Sequence, residues 1–174
     1  MAEFQHIGGE VAWEGKLATV RVERFRYDDG EEAEREIVAH PGAVGILAVD
    51  GDALILVRQP REAVGEPDLL ELPAGKLDEG EEPLATAQRE LAEEVGKGAR
   101  RWEHVKSFYT SPGFTDEECH VYLAEDLHDA EADADDNERI EIVRWPLDRL
   151  DDAIGACRDS KTLIALLWLK ARRA

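Results

Sequence analysis

The stretch GKLDEGEEPLATAQRELAEEVG, from Gly75 to Gly96, carries seven acidic and two basic residues in a 174-residue chain whose net charge is already −19. Its apolar residues recur at the spacing of one helix face, at Leu84, Ala87, Leu91 and Val95. Proline suits the first turn of a helix, where Pro83 lies. The stretch therefore predicts a helix from about Pro83 to Val95 that packs its apolar stripe against a sheet.

Two glutamates on this predicted helix face each other. Glu90 and Glu94 are four residues apart, so their carboxylates repel. The residue four before Glu90 is Thr86 and the residue four after Glu94 is Gly98, and both are uncharged. Glu93, by contrast, has Arg89 four residues before it and Lys97 four residues after it. The carboxylate pair is either tolerated at a small cost or holds a cation, and the helical spacing leaves both interpretations open.

The residues before the helix favour the cation. Pro73, Ala74 and Gly75 end a short predicted strand, and glycine lets backbone carbonyls turn toward a ligand. Hard divalent ions such as Mg²⁺ bind oxygen from carboxylates, carbonyls and substrate phosphates. Two full charges about 5 Å apart repel by roughly 3 kcal/mol at an effective dielectric constant near 20, and a divalent ion between them reverses the sign.

Elsewhere the sequence predicts many strands and few helices. The predicted strands are Leu17–Tyr27, Arg35–His40, Ala43–Asp50, Ala53–Gln59, Leu69–Leu72, Trp102–Tyr109, Cys119–Ala124 and Arg139–Trp145. Two more helices are predicted, at Leu147–Cys157 and Ser160–Arg172. This mixture predicts an α/β fold in which helices cover a mixed sheet. We expect residues 1–40 to form N-terminal antiparallel strands and residues 41–174 to form the main domain.

Composition and charge exclude several classes of protein. The net charge of −19 argues against binding to nucleic acid or to an anionic membrane surface, because both partners would be repelled. The N-terminus has neither the basic nor the apolar region of a secretory signal, so we expect a cytoplasmic protein. The segment Glu125–Glu141 holds nine acidic residues and one arginine, and most of it is expected to be a solvated loop.

The fixed positions of the opening stretch resemble the Nudix box of the Nudix hydrolase family. The resemblance is carried by Gly75, by Glu81 and by the run RELAEEVG from Arg89 to Gly96. One position departs from the family, because an aliphatic residue usually stands where this chain has Lys97. The resemblance implies a Nudix-type α/β/α sandwich around a mixed β-sheet. It also implies hydrolysis of a nucleoside diphosphate linked to another moiety, with Mg²⁺ or Mn²⁺ as the cofactor.

The resemblance also implies roles for individual residues. It assigns metal ligation to Glu90, Glu94 and the carbonyl of Ala74. It makes Glu93 a supporting acid or a shared ligand, and it gives Arg89 and Glu81 the task of orienting the other groups. The cations that would neutralise the crowded glutamates are then absent from the sequence because they come from solution.

Two further segments resemble the ADP-ribose pyrophosphatase branch of the family. They are ELPAGKLDEGE before the box and SPGFTDE after it, and Pro112 lies sixteen residues after Gly96, where that branch typically has a proline. The resemblance covers nearly the whole chain and implies a homodimer whose N-terminal strands contribute to the partner's site. The expected substrate-binding residues are Arg35, Glu36, Arg61, Lys76, Pro112 and Glu117.

The segment ADADDNERIEIV resembles the loop that supplies a catalytic glutamate in some members of this branch. The alignment makes Glu138 a further metal ligand and places Asp136 where the general base is a glutamate. Aspartate has a reach shorter by one methylene, so Glu117 and Glu93 remain alternative bases.

The leading hypothesis is metal-dependent hydrolysis of ADP-ribose to AMP and ribose 5-phosphate. The Phe that this branch typically uses to stack adenine is missing near Lys16, and Trp13 or Phe25 is expected to replace it. One alternative is the same chemistry on another nucleotide sugar, such as GDP-mannose. A second is a catalytically silent nucleotide-sensing module, against which the complete set of carboxylates argues. A merely acidic surface would not place the glutamates in register with the glycines and the apolar stripe.

Overall fold

The computed structural model describes residues 3–16, 18–132 and 139–174. The strands are β1 (Phe4–Glu14), β2 (Thr19–Tyr27), β3 (Glu32–Ala39), β4 (Ala43–Asp50), β5 (Ala53–Arg61), β6 (Glu66–Glu71), β7 (Ala74–Lys76), β8 (Lys97–Tyr109), β9 (Glu118–Asp129) and β10 (Glu141–Pro146). The α-helices are α1 (Pro83–Val95), α2 (Leu150–Ala156) and α3 (Ser160–Arg173). None of the helices in these ranges is long and apolar enough to cross a membrane.

The chain divides into two compact units. Unit 1 consists of Met1–Gly42 and Tyr109–Glu118, and unit 2 consists of Ala43–Phe108 and Cys119–Ala174. Unit 1 is built on a three-stranded antiparallel sheet in the order β1-β2-β3. Its second segment joins this sheet through Val38, whose backbone N–H donates to the carbonyl of Phe114 at 2.8 Å. The Thr115 hydroxyl donates to the carbonyl of Val38, also at 2.8 Å.

Unit 2 contains the mixed sheet, in the order β10-β5-β4-β9-β8, with β6 paired to β5 and β7 paired to β4. The pairing of β4 with β9 is parallel, whereas β4 pairs antiparallel with β5 and with β7. One face of the sheet, with Ile46 and Val57, packs against Leu91 of α1. The other face, with Leu47 and Leu54, packs against α2 and α3. Unit 2 is therefore an α/β/α sandwich, as the sequence predicts.

Helix α1 has the predicted bounds, and strand β5 of the central hairpin extends two residues beyond them. Helix α1 runs from Pro83 to Val95, and Gly96 ends it in the left-handed conformation at φ 69°. Gly96 suits this position because a residue without a Cβ adopts positive φ at no steric cost. The hairpin of β4 and β5 also begins and ends close to the predicted residues.

Other elements differ from the predicted ones in their bounds or were not predicted. β1 was not predicted as a separate strand, since two glycines and two register shifts interrupt its alternation. The expected solvated loop was wrong for its first residues, because β9 continues through them to Asp129. Basic residues of β8 pair with these acids, as in the 2.8 Å contact between Arg101 and Asp126. Helix α2 ends at Ala156 and begins after a short 3₁₀ turn, Leu147–Arg149, that was expected to be part of it.

Candidate active site

Arg89 contacts three of the acidic side chains expected at the site, which are Glu81 in the loop before α1 and Glu90 and Glu93 on the helix. Its Nε and Nη2 donate to the two carboxylate oxygens of Glu81, at 3.1 and 2.9 Å. Its Nη1 donates to Glu90 at 2.7 Å and to Glu93 at 2.9 Å. Its Nη2 also donates to the carbonyl of Lys76 at 3.3 Å. Hydrogen bonding to Glu81, together with Glu90 and Glu93, raises the pKa of Arg89 above its ordinary value.

These contacts correct two expectations about the charges on α1. The helical spacing gave Glu90 no nearby cation, but the adjacent Arg89 reaches it. The same spacing paired Glu93 with Lys97, but Lys97 begins β8 and its ammonium forms an ion pair with Asp129. The rule for side chains four apart holds only while the chain stays helical, and α1 ends at Val95.

Strand β7, which was not predicted as a strand, meets the two expected metal ligands of the helix. The backbone N–H of Ala74 donates to Glu94 Oε2 at 2.9 Å. The carboxylate of Glu90 lies against Gly75, where a Cβ would stand only 1.9 Å from Glu90 Oε1. A side chain at Gly75 would therefore displace Glu90. The structure thus brings Ala74 to Glu94 and Gly75 to Glu90.

The donor set around Gly75 fits a hard divalent cation. It contains the carboxylates of Glu90 and Glu94, and carboxylate oxygens are among the ligands that such ions prefer. The acids Glu81, Glu90 and Glu93 share one arginine, so negative charge remains in excess. Within residues 3–16, 18–132 and 139–174, no three His, Cys, Asp or Glu side chains already converge as a metal site. Asp136 and Glu138, the expected base and further ligand, lie outside the described residues.

Arg61, an expected substrate-binding residue, pairs with Glu71, which was not among the predicted site residues. Its Nε and Nη2 donate to Glu71 at 2.6 and 3.0 Å. The side chain of Glu71 is only 1% exposed, and Lys161 contacts its second oxygen. A glutamate inside the apolar run LLELP was the available sequence signal, because carboxylates are rarely buried without partners.

Unit 1 contains an open pocket of about 470 Å³. Its lining combines aromatic residues with two expected substrate-binding residues, and includes Phe4, Phe25, Tyr27, Arg35 and Pro112. Arg35 Nη2 donates to the Tyr27 hydroxyl at 3.2 Å, and the rings of Phe4 and Phe25 meet edge to face at 5.5 Å. Of the two aromatic residues expected to stack a base, Phe25 lines this pocket.

The remaining expected substrate-binding residues lie in several places. Glu36 is exposed on β3, and Lys76 is exposed at the end of β7. Glu117 accepts a hydrogen bond from the Thr110 hydroxyl at 2.6 Å and lies 3.6 Å from His40 Nδ1.

Comparisons with known proteins identify similar chains over nearly the full length. The family model described as the NUDIX domain matches residues 39–166. The chain is 40% identical to an ADP-ribose pyrophosphatase of Bacillus subtilis, covering 99% of this chain and 95% of the relative. It is 38% identical to a methanol dehydrogenase activator of Bacillus methanolicus, with the same coverage. A solved structure titled as an ADP compounds hydrolase superposes with a TM-score of 0.86 at 25% identity, covering 98% and 94% of the two chains.

The contact between Glu81 and Arg89 predicts a loss of stability in acid. The hydrogen bonds from Arg89 lower the pKa of Glu81 from 4.5 to about 2. A carboxyl group whose pKa is lower in the folded state than in the unfolded chain stabilises the folded state at pH values above its unfolded pKa. This contribution disappears as the pH falls from 4.5 toward about 2. Replacing Glu81 by Gln should therefore lower the melting temperature in EDTA at about pH 6 and make progressively less difference in acid.

The matched control is Glu79→Gln, which removes an exposed carboxylate from the same loop. Thermal melts of the parent and both variants between about pH 2 and pH 7 measure the effect. A pH-independent difference between the parent and Glu81→Gln would contradict the prediction.

Proposed function

Because the chain belongs to the Nudix hydrolase family, we propose that it hydrolyses the diphosphate bond of ADP-ribose, giving AMP and ribose 5-phosphate. The observation that carries the proposal is the meeting of Ala74 and Gly75 with the carboxylates of Glu94 and Glu90. The choice of ADP-ribose is supported by the Bacillus subtilis relative, which is named an ADP-ribose pyrophosphatase.

The proposed cofactor is Mg²⁺, with Mn²⁺ as the alternative. Glu90, Glu94 and the carbonyl of Ala74 would hold it, with Glu138 as a further ligand. A divalent cation in such a site polarises phosphoryl oxygens and lowers the pKa of a bound water. Arg89 prepares the site by fixing Glu90 and Glu93, and Glu81 fixes Arg89 from its other edge.

The other proposed residues bind the substrate or serve as the general base. Arg61 is proposed to bind a phosphate, since its planar guanidinium suits that group and its side chain is 41% exposed. Asp136 is proposed as the general base, and Glu93 and Glu117 are the alternatives. Glu93 has one oxygen committed to Arg89, and Glu117 has one committed to Thr110. The further substrate contacts are proposed to be Arg35, Glu36, Lys76 and Pro112.

We propose that the protein works as a cytoplasmic homodimer to which residues 1–40 contribute. Strand β1 supports this proposal, because Phe4, Val11 and Trp13 are each more than half exposed on it. Exposed apolar side chains on a sheet commonly mark an interaction surface. The net charge of −19 supports a small-molecule substrate and argues against nucleic acid or a membrane as the partner.

The substrate is tested by measuring kcat/KM for ADP-ribose, GDP-mannose, NADH and diadenosine polyphosphates with Mg²⁺ and with Mn²⁺. We expect ADP-ribose to give the highest value. A preference of about tenfold for GDP-mannose would overturn the assignment to this branch. If none of the compounds is hydrolysed with either metal, the catalytically silent module is the better description.

Replacing Glu90 or Glu94 by Gln should lower single-turnover rates at saturating Mg²⁺ by about a thousandfold, because each change removes a proposed metal ligand. The amide oxygen of Glu94→Gln still accepts from the N–H of Ala74, and the change removes a repelling charge. Glu94→Gln should therefore unfold in EDTA no earlier than the parent.

The control for both variants is Glu79→Gln, which should keep the parental rate. Parental rates in Glu90→Gln and Glu94→Gln, together with lower melting temperatures in EDTA, would show that the two carboxylates are structural.

For assembly, light scattering should give the mass of a dimer. A chain lacking Met1 to Tyr27 should dimerise less and lose activity, because it lacks the exposed apolar residues of β1. A truncated chain that is monomeric and fully active would refute the proposed contribution of residues 1–40.

A further inference from the structure

We propose that Lys161, at the start of α3, is a positioning residue for the hydrolysis proposed above, and that it acts by holding Glu71 and, through Glu71, the guanidinium of Arg61. The inference takes its substrate from the proposed function. The contacts from which it is argued do not depend on which substrate the protein hydrolyses. Lys161 is 90 residues away from Glu71 in the sequence, and no motif connects the two.

The carboxylate of Glu71 lies between two cations. Arg61 approaches from β5 with two parallel hydrogen bonds, and Lys161 approaches from α3. The Glu71 side chain is 1% exposed and that of Lys161 is 16% exposed, so water does little to screen this pair. Burial by itself would raise the pKa of Glu71, but the contacts with Arg61 and Lys161 hold it below its ordinary value.

Asp159 completes this group, which we call the Glu71 network: Arg61, Glu71, Asp159, Lys161 and Thr162. Lys161 Nζ lies 3.0 Å from Asp159 Oδ1. Asp159 caps α3 by accepting from the backbone N–H of Thr162 at 2.9 Å, and it accepts from the Thr162 hydroxyl at 2.6 Å. The network contains two positive and two negative groups, so the loss of either cation leaves excess negative charge in a poorly hydrated place.

The Glu71 network is continuous with the residues that meet α1. Thr162 Oγ1 accepts from the backbone N–H of Leu72 at 2.8 Å. Two residues further along, the N–H of Ala74 donates to Glu94, and Gly75 lies against Glu90. The negative charges of Glu71 and Glu94 both act on the guanidinium of Arg61. The first residues of α3 therefore hold both the backbone at Leu72 and, through Glu71, the guanidinium of Arg61.

Removing the charge of Lys161 changes what Arg61 contacts. In Lys161→Met, Glu71 and Asp159 keep their negative charges and only Arg61 remains to balance them. Arg61 already donates two hydrogen bonds to Glu71, so we expect the uncompensated acids to hold its guanidinium more tightly and make it less available to the substrate. Lys161→Arg retains the positive charge and should restore part of the function.

The first measurement compares kcat and KM for ADP-ribose. Lys161→Met should lower kcat/KM by about tenfold or more, mainly through a higher KM, because a substrate-binding group is displaced. Lys161→Arg should recover part of this loss. The matched control is Lys170→Met, the same change on the same helix, which removes an exposed ion pair with Asp151 and should keep parental values. Equal kcat/KM in Lys161→Met and Lys170→Met would overturn the proposal.

The second measurement separates positioning from general destabilisation. If Lys161 acts through Arg61, the double variant Arg61→Ala with Lys161→Met should be no less active than Arg61→Ala alone, to within about threefold. A merely structural role predicts that the two losses multiply. If the loss in the double variant equals the product of the two single losses, the proposal is overturned, however low the activity of Lys161→Met alone is.

The third measurement is independent of the substrate. Amide hydrogen exchange of the segment Leu72–Gly75 should be faster in Lys161→Met than in Lys170→Met, since the network holds this segment through Thr162. Equal exchange rates would overturn the proposal whatever the protein hydrolyses. Failure of the parent chain to hydrolyse ADP-ribose would instead refute the proposed substrate, and the double-variant comparison would use another hydrolysed compound from the panel.

Discussion

The close approach of Gly75 to the carboxylate of Glu90 is the contact on which the candidate site depends. No side chain fits between the two, since a Cβ would stand 1.9 Å from Glu90 Oε1. Every residue of the preceding segment has a fixed neighbour: Glu71 has Arg61 and Lys161, Leu72 has Thr162, and the carbonyl of Pro73 accepts from Ile46 on β4. These bonds fix the backbone of the segment before Gly75, and they therefore fix the position of Gly75 as well.

Basic residues are distributed unevenly among the acidic side chains of unit 2. Arg89 contacts three carboxylates and leaves the set negatively charged. Glu71, by contrast, is nearly inaccessible to water and has two cations around it. Buried charge is balanced because low hydration makes any imbalance costly, whereas the partly exposed carboxylates of α1 remain in excess. The charges around Glu71 are therefore balanced, whereas those around Arg89 are not.

Helix α1 and the β4–β5 hairpin could be predicted from the sequence because local chemistry determines them. The helical spacing of the apolar residues and Pro83 indicate the helix, and the apolar runs Ala43–Asp50 and Ala53–Gln59 indicate the two strands of the hairpin. The contact of Arg89 with Glu90 was missed, since helical spacing rules say nothing about adjacent residues that a third group, here Glu81, brings together. The Glu71 network was missed because its members come from β5, β6, α3 and the residue that caps α3. Only the packed sheet decides that they meet.

The hydrogen bond between Leu72 and Thr162 also bears on the order of folding. It closes a separation of 90 residues, and the parallel pairing of β4 with β9 closes a similarly long loop. Ordering such loops costs chain entropy before the new contacts repay it, so local elements such as the hairpin form first. During synthesis, the segment before α1 gains its partners on α3 only after α3 has left the ribosome. A nascent chain that has already formed its hairpin and first helix still has an incomplete site.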